Sequence, residues 1–289
     1  MRVFVTGATG FVGSAVVPDL LAAGHRVVGL ARSDEAAATL VAAGAEVHHG
    51  DLRDTDSLRR GAEQADAVIH AAFDHDFANL AASCEMDRDA IEALGHGLAG
   101  SGKPLIVTSG LPVIPGRVVT EDDAPPPGAH GMPRVSEQTA LALVRHGVHA
   151  TVVRMPQVHD RSKQGFATYL LAHAREKGMS AYVGDGRNRW PAVHRLDAAR
   201  LYGHVLERGV AGQCYHAVTE TGVSVCDIAE AIGRRLNMPV VSLSAAESAS
   251  HFGWLDRIAR MDVPASSTLT QERVAWAPKE ATGFLEDLA

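Results

Sequence analysis

Three glycines near the start of the chain follow one another at intervals of three residues. Gly7, Gly10 and Gly13 fit the pattern G-x-x-G-x-x-G, with an apolar run before them and a helical pattern after them. In such a turn the first glycine allows a tight bend. The second lets the backbone approach a pyrophosphate, and the third lets the helix pack close to the sheet. The N–H groups of Phe11 and Val12 would then face the phosphates. The spacing predicts a dinucleotide site; the alternative is a glycine-rich turn that binds nothing.

The residues after the second apolar run bear on which dinucleotide this would be. Arg32 and Ser33 stand about 20 residues after the glycine pattern, where NAD-binding proteins place an acid on the ribose hydroxyls. A guanidinium and a hydroxyl suit a 2′-phosphate better than two hydroxyls. We therefore expect NADPH, while Asp34 keeps NADH open. The alternative is an arginine that serves only as a solvated surface residue.

The elements that must position these residues alternate along the first half of the chain. Short apolar runs predict strands at Arg2–Thr6, Arg26–Ala31, Glu46–His49, Ala67–His70, Pro104–Thr108 and His149–Arg154. Helical patterns lie between them, at 11–23, 34–43, 55–63, 77–100 and 134–146. Parallel strands need such crossovers. The predicted fold class is therefore α/β, a Rossmann-like doubly wound parallel sheet with a smaller C-terminal substrate-binding portion.

The rhythm breaks at a proline-rich loop over 112–132, and a loop of this length is usually functional or mobile. After Pro156 the chain is less regular, with helices near 164–177 and 196–208. We assign 1–155 to a nucleotide-binding body, to which about 190–208 returns. We assign 156–189 and 209–289 to the smaller portion, within one structural unit.

Composition narrows the class of partner. The chain has 289 residues, 46% of them hydrophobic, and a net charge of −7, which gives no reason to expect a nucleic-acid or anionic-membrane surface. Its three cysteines show no CxxC spacing, and its histidines lack metal-ligand spacing, so we expect neither a disulfide framework nor a metal. With no signal peptide or apolar span, the expected location is cytoplasmic, and the expected partner is a small-molecule substrate. The sequence does not predict an oligomeric state.

Six short segments, in this order, resemble the extended short-chain dehydrogenase/reductase family, whose NAD-dependent epimerases and dehydratases share them. They are TGATGFVG around Thr9, Gly50-Asp51-Leu52, His70-Ala71-Ala72, Arg154-Met155-Pro156, Val193 to Asp197, and Trp276-Ala277-Pro278. The resemblance implies that Asp51 and Leu52 touch the adenine and that Ala71 and Ala72 touch the nicotinamide-side ribose. It also implies that Pro156 to Val158 touch the nicotinamide.

One family feature is missing. The family moves a proton with a Tyr-x-x-x-Lys pair, and here no tyrosine has a lysine four residues later; the four tyrosines are Tyr169, Tyr182, Tyr202 and Tyr215. Pro133 and Glu137 stand where the pair is expected, and Gly110 stands at the family's serine. In this respect the chain resembles an atypical branch that lacks the usual catalytic set. That branch includes ketoreductases that tailor aromatic polyketides in antibiotic biosynthesis, such as the angucyclinone ketoreductase of simocyclinone biosynthesis.

The sequence therefore does not indicate which residue donates the proton. Ser109 ends the fifth strand, at the edge where parallel sheets bind ligands, and His75 follows the fourth strand beside two aspartates. His130 lies in the long loop. The alternatives are a solvent-facing turn serine, a surface histidine in a helix-capping loop and a mobile loop histidine, respectively. A phenol on the substrate could supply the proton instead. Four aromatic residues are candidates to line a substrate pocket, with core packing as the alternative: Phe166, Tyr169, Tyr182 and Trp190.

Three functions stay open. The first is an NAD(P)H-dependent ketoreductase that acts on a sizeable, polyketide-like aromatic ketone by a non-standard route of proton donation. The second is a non-catalytic NAD(P)-binding redox sensor, which the missing tyrosine and lysine favour. The third is a sugar-nucleotide epimerase or dehydratase, which needs the same missing base. The nicotinamide-side segment at 155–158 and the long loop favour the reductase.

Overall fold

The computed structural model describes residues 1–76, 79–125 and 135–289. The strands are β1 (Arg2–Thr6), β2 (Arg26–Ala31), β3 (Glu46–His49), β4 (Ala67–His70), β5 (Pro104–Gly110), β6 (His149–Met155), β7 (Gln157–Asp160), β8 (Lys163–Gln164), β9 (Ser180–Val183), β10 (Arg189–His194), β11 (Cys214–His216), β12 (Glu220–Ser224) and β13 (Val240–Leu243). The helices are α1 (Gly13–Ala22), α2 (Asp34–Ala42), α3 (Thr55–Glu63), α4 (Leu80–Leu98), α5 (Ser136–Leu143), α6 (Ala167–Lys177), α7 (Arg195–Arg208), α8 (Val225–Leu236), α9 (Ala245–Phe252), α10 (Asp256–Ala259), α11 (Thr268–Val274) and α12 (Phe284–Leu288).

A seven-stranded parallel sheet forms the centre of the molecule, in the order β11-β6-β5-β4-β1-β2-β3. Its strands are apolar on both faces because helices cover both. In β1, Val3 and Val5 pack into one core layer while Phe4 packs into the other. The strand order reverses between β1 and β4, and ligands of such sheets bind at that switch point. The predicted fold class is confirmed.

The ends of several elements differ from the sequence prediction. β5 runs two residues beyond Thr108, because every residue from Pro104 to Gly110 pairs with β6. The helix predicted over 77–100 occupies Leu80–Leu98. The one predicted over 134–146 begins, within the described residues, at Ser136.

The smaller portion is built on a four-stranded sheet, β12-β10-β7-β8, and a parallel pair, β13-β9. Its boundaries differ from the predicted ones in two places. Residues 190–194 belong to β10, which pairs with β7 in the small sheet, and only α7 returns to pack on α1. β11, which falls within 209–289, instead pairs with β6 and covers the edge of the large sheet. In both places a strand pairs with the edge of a sheet whose N–H and C=O groups would otherwise have no partner.

The proline-rich loop is held down over its described part. Val119 is fully buried and forms a β-bridge with Ala265. Glu121 accepts hydrogen bonds from the N–H and the hydroxyl of Thr270, both at 2.6 Å. Residues 112–125 therefore pack onto the C-terminal part of the chain. His130 and Pro133 lie outside the described residues. None of the helices in the described ranges combines the length and the apolar character that crossing a bilayer requires.

Candidate active site

The glycine turn leaves no room for side chains. Gly7 has a φ of +68°, and a Cβ there would lie 2.7 Å from the backbone of Ala71 and Ala72. A Cβ on Gly13 would lie 2.0 Å from the carbonyl oxygen of Gly7. The N–H of Gly10 donates to that same oxygen at 2.9 Å. The sequence-predicted turn and the end of β4 thus meet at the switch point, backbone against backbone.

The same turn presents N–H groups that no other group of the described chain uses. Among the described residues, the amides of Phe11 and Val12 donate no hydrogen bond within the protein. They precede α1, where the helix dipole favours a negative charge. A backbone cradle that a Cβ would fill, lined by unused donors, fits the diphosphate of a dinucleotide.

Two residues proposed for a 2′-phosphate follow β2, and they differ in their hydrogen bonds. The Oγ of Ser33 accepts the N–H of Ala36 at 3.2 Å and caps α2, so its lone pair is in use while its O–H remains a donor. Arg32 is exposed, and within the described ranges no hydrogen bond engages its guanidinium. Asp34 begins the helix at the same surface.

Asp51 and Leu52 follow β3 and lie partly buried. The carboxylate of Asp51 accepts the N–H of Arg53 at 2.9 Å and so shapes its own turn. Leu52 lines a groove of about 530 Å³ together with Asp74 and Ser83. This groove lies between the loop after β3 and the start of α4. His75 is exposed beyond β4, with its ring 5.2 Å from that of Phe73.

Ser109 and Thr108 at the end of β5 differ in what they contact. The Thr108 hydroxyl lies 2.6 Å from the Tyr202 hydroxyl and donates to the carbonyl of His70 at 2.8 Å. Ser109 is 8% exposed and pairs in register with Arg154 of β6.

Glu137, at the expected lysine position, is committed to a buried ion pair. Arg154 donates to its two carboxylate oxygens at 2.8 and 2.7 Å, and both side chains are at most 5% exposed. The guanidinium donates three more bonds, to the carbonyls of Glu121 and Asp123 and to the Nε2 of His216. All five of its N–H donors are thus engaged. Neither charge is free to meet a ligand.

Burial, and then the charges of this ion pair, shift the pKa values of two neighbouring groups. The Nδ1 of His216 lies 2.8 Å from the Ser266 carbonyl, so the neutral ring donates there and accepts from Arg154 at Nε2. Burial, and then the charge of Arg154, lower the pKa of His216 to about 3. Burial, together with Glu137, raises the pKa of the Cys214 thiol to about 12. Both groups are neutral at pH 7, and neither is poised for proton transfer.

Sequence reasoning did not find a buried polar chain beneath the site. His70 contacts Thr6 at 2.8 Å through Nδ1 and Asp87 at 3.0 Å through Nε2. Asp87 also accepts the hydroxyl of Ser136 at the start of α5. The four residues are at most 1% exposed. His70 lay within a recognised segment, but nothing in the pattern of α4 marks Asp87 as its partner.

The segment after β6 connects to an aromatic cluster. Pro156 is half-buried and Val158 buried, and Gln157 between them accepts the N–H of Phe166 at 2.7 Å. The ring of Phe166 lies 6.2 Å from that of Tyr169. Tyr169 in turn meets Trp254 edge to face at 5.4 Å. Trp254 is 51% exposed, so the cluster opens to solvent.

Two of the four aromatic residues proposed for a pocket lie elsewhere. Trp190 is 2% exposed in the core of the smaller portion, where packing is its role. Tyr182 lies near Cys226 and Gly186. The third ring of the aromatic cluster is instead Trp254. No pattern in the sequence around Trp254 indicated that it would lie beside Tyr169. In the described ranges no group of three or more His, Cys, Asp or Glu side chains could hold a metal ion.

Comparison with known proteins agrees with this geometry. Residues 3–86 match the model of the NAD dependent epimerase/dehydratase family. An uncharacterized protein of Schizosaccharomyces pombe is 47% identical over 294 residues, covering 100% of this chain and 98% of that protein. A 4-hydroxy-2-methyl-3-oxo-4-farnesyl-3,4-dihydroquinoline-1-oxide ketoreductase of Stigmatella aurantiaca is 27% identical over 88% of this chain and 80% of its own length.

Among solved structures, a dTDP-glucose 4,6-dehydratase variant of Streptomyces venezuelae with NAD bound aligns with a TM-score of 0.78. Its identity is 21%, and the alignment covers 100% of this chain and 96% of that one. At 21% identity this likeness shows the fold alone, a Rossmann-like α/β fold in which the glycine turn lies at the switch point of the parallel sheet. Residues 3–86 thus carry the match to the NAD dependent epimerase/dehydratase family, and the whole chain is a full-length relative of the Schizosaccharomyces pombe protein.

Proposed function

We propose that this protein is an NAD(P)H-dependent ketoreductase that reduces a ketone of a sizeable aromatic substrate. The observation that carries the proposal is the hydrogen bond from the N–H of Phe166 to Gln157. It attaches an open aromatic cluster to the segment that the family resemblance assigns to the nicotinamide. A planar substrate stacked on such rings would lie beside the reducing end of the cofactor.

The bound cofactor would supply the hydride, and this chain's residues would hold it. In this proposal the diphosphate meets the amides of Phe11 and Val12 in the cradle of the three glycines, with Thr9 in the same turn. The adenine lies at Asp51 and Leu52, the nicotinamide-side ribose at Ala71 and Ala72, and the nicotinamide at Pro156 to Val158. These sites lie at the carboxyl ends of β1, β3, β4 and β6.

The proton needs a separate source, because Glu137 stands at the lysine position and is held by Arg154. Ser109 is the penultimate residue of β5, and no hydrogen bond from its hydroxyl is found among the described residues. It is therefore the candidate on this chain for stabilising the developing alkoxide, and His75 is the exposed second candidate. A phenol beside the substrate ketone would supply the proton internally.

The experiment is a matched pair of bicyclic aryl ketones, one with a phenol beside the carbonyl and one with a hydrogen there, assayed by NADPH oxidation and product mass. Both should gain two hydrogens, and the phenol should accelerate reduction. Ser109→Ala should slow the phenol-free ketone more than the phenol-bearing one, with His75→Gln as its comparison. Equal rates for the two ketones would contradict internal proton donation. No turnover of any aryl ketone would contradict the ketoreductase assignment.

NADPH is the proposed cofactor because Arg32 is exposed at the end of β2 with its guanidinium unengaged. Arg32→Asp should weaken NADPH binding at least about tenfold, the value of one charge-assisted bond, and leave NADH unchanged or improved. Arg257→Asp, an exposed residue of α10 for which the described part of the chain shows no ion pair, is the control. An unchanged preference between the two cofactors would rule out Arg32 as the 2′-phosphate ligand.

A non-catalytic NAD(P)-binding sensor is the second candidate, and the saturated Arg154–Glu137 pair favours it because it leaves no mobile charge at the expected catalytic position. Tight dinucleotide binding without turnover of any ketone would support it. A sugar-nucleotide epimerase or dehydratase ranks lower, because that chemistry needs the same missing tyrosine.

A further inference from the structure

Two basic side chains from the smaller portion lie over the ring of Phe11. The Nζ of Lys163 is 5.6 Å from the ring centroid, and the guanidinium carbon of Arg195 is 5.1 Å from it. Phe11 lies within the glycine turn itself, next to Gly10. Lys163 comes from β8 and Arg195 begins α7, so both charges reach the turn from outside the seven-stranded sheet.

One carboxylate contacts the backbone of Lys163 and the side chain of Arg195. Asp160, at the end of β7, accepts the N–H groups of Ser162 at 2.7 Å and Lys163 at 3.1 Å. Its second oxygen lies 3.3 Å from the Nε of Arg195. Burial raises the pKa of Asp160, but the hydrogen bonds from Ser162 and the charge of Arg195 lower it further, to below its usual value. The carboxylate therefore stays ionised at neutral pH, where it fixes the backbone at Lys163 and pairs with the side chain of Arg195.

The charged ends of the two side chains remain available. In the described part of the chain, neither the Nζ of Lys163 nor the terminal nitrogens of Arg195 donate a hydrogen bond within the protein. A cation above an exposed aromatic ring gains less than one bonded to a phosphate oxygen. The two cations would therefore leave the ring of Phe11 to bind an anion in the glycine cradle.

We propose that Lys163 and Arg195 bind the diphosphate of the dinucleotide, adding two side-chain cations to the backbone amides of the turn. This inference rests on the cofactor part of the proposed function, and it depends neither on the ketone nor on the 2′-phosphate. It also gives the smaller portion a role in holding the cofactor, since β8 and the start of α7 would close on the turn when the dinucleotide binds.

The test uses Lys163→Met and Arg195→Met, which remove the charges but keep the apolar stems. Arg161→Met, an exposed residue of the same turn, is the matched control. Calorimetric titration at several salt concentrations gives the Kd for NADP⁺, NAD⁺ and 2′-AMP. Each variant should bind both dinucleotides about tenfold more weakly, with a shallower salt dependence. Binding of 2′-AMP, which lacks a diphosphate, should not change, nor should any Kd of Arg161→Met.

Unchanged NAD⁺ affinity and salt dependence in Lys163→Met would overturn the proposal. That side chain is exposed and its loss leaves the fold intact, so the result is readable even if Arg195→Met fails to fold. An equal loss of 2′-AMP binding would also overturn it, because the cations would then act on the adenosine end. Failure of ketone reduction leaves these affinities untouched, whereas failure of the wild-type protein to bind any dinucleotide would overturn the proposed function itself.

Discussion

At the β1 end of the candidate site the groups that face a ligand are backbone atoms, whereas at the β6 end the polar side chains face one another. The turn at Gly7 to Gly13 holds unused N–H groups in a fixed cradle. Around Arg154, five donors meet five acceptors and none is left over. The first region presents N–H groups that could bind an anion. In the second region the charged groups are paired with one another.

The difference between the two regions shows how this fold can form without a Tyr-x-x-x-Lys pair. A lysine on α5 would stand free to reach a ribose, but the glutamate here gains a buried arginine partner and becomes part of the scaffold. At this position the side chain is part of the buried scaffold. The glycine turn has no such freedom, because Gly7 has a positive φ and the space beside Gly7 and Gly13 admits no Cβ.

The largest expected effect comes from breaking the ion pair. Arg154→Met leaves the carboxylate of Glu137 buried and unpaired, which should lower the free energy of unfolding by about 3–5 kcal/mol. The double variant Arg154→Met with Glu137→Met removes both charges and should recover most of that loss. Denaturant unfolding of the three proteins checks this. A loss below about 1 kcal/mol in the single variant would show that the buried ion pair does not stabilise the fold in this way.

The same cluster predicts a dependence on pH. His216 has a pKa of about 3 in the folded protein and about 6.5 when unfolded. Its contribution to stability is complete above pH 6.5. Below that value only the unfolded chain takes up the proton, so stability falls by about 1.4 kcal/mol per pH unit until about pH 3.

His216→Gln keeps a donor and an acceptor but does not titrate. Between pH 6 and pH 4 the wild-type protein should lose about 3 kcal/mol more than this variant. Denaturant midpoints at pH 6, 5 and 4 measure the two slopes, and other acidic groups cancel in the comparison. Parallel slopes would mean that His216 is protonated in the folded state or titrates equally in both states.

The glycine turn should respond to a single methyl group. A Cβ at residue 13 would lie 2.0 Å from a backbone oxygen that cannot move independently, so Gly13→Ala should cost about 1–3 kcal/mol and displace the cradle. NAD⁺ affinity should fall with it. Gly203→Ala on α7, where a Cβ would meet no atom closer than 3.6 Å, is the control. Wild-type affinity in Gly13→Ala would show that the diphosphate does not use this turn.

The contrast between the regions also separates what sequence could and could not predict. The strands and the glycine turn follow from local rules, namely apolar runs, helical periodicity and glycine spacing, so β1 to β4 were predicted at their observed bounds. The substitution at Glu137 was visible too. Its partner Arg154 was not, because an ion pair between α5 and β6 is set by packing. Trp254 and the contact of Arg195 with Phe11 are likewise long-range, and no spacing rule connects them.

The smallest structural effect is expected at Gly110, where the family carries its serine. A Cβ there meets nothing within 4 Å and the backbone has no positive φ, so Gly110→Ala and Gly110→Ser should both change stability by less than about 0.5 kcal/mol. Under the proposed function the added hydroxyl stands near the alkoxide. Gly110→Ser should therefore speed the phenol-free ketone more than the phenol-bearing one, by less than the roughly hundredfold value of a well-placed donor. Gly110→Ala separates the hydroxyl from the methylene. Equal rates in the serine and alanine variants would show that the alkoxide forms away from β5. The substrate itself would then be the expected proton donor.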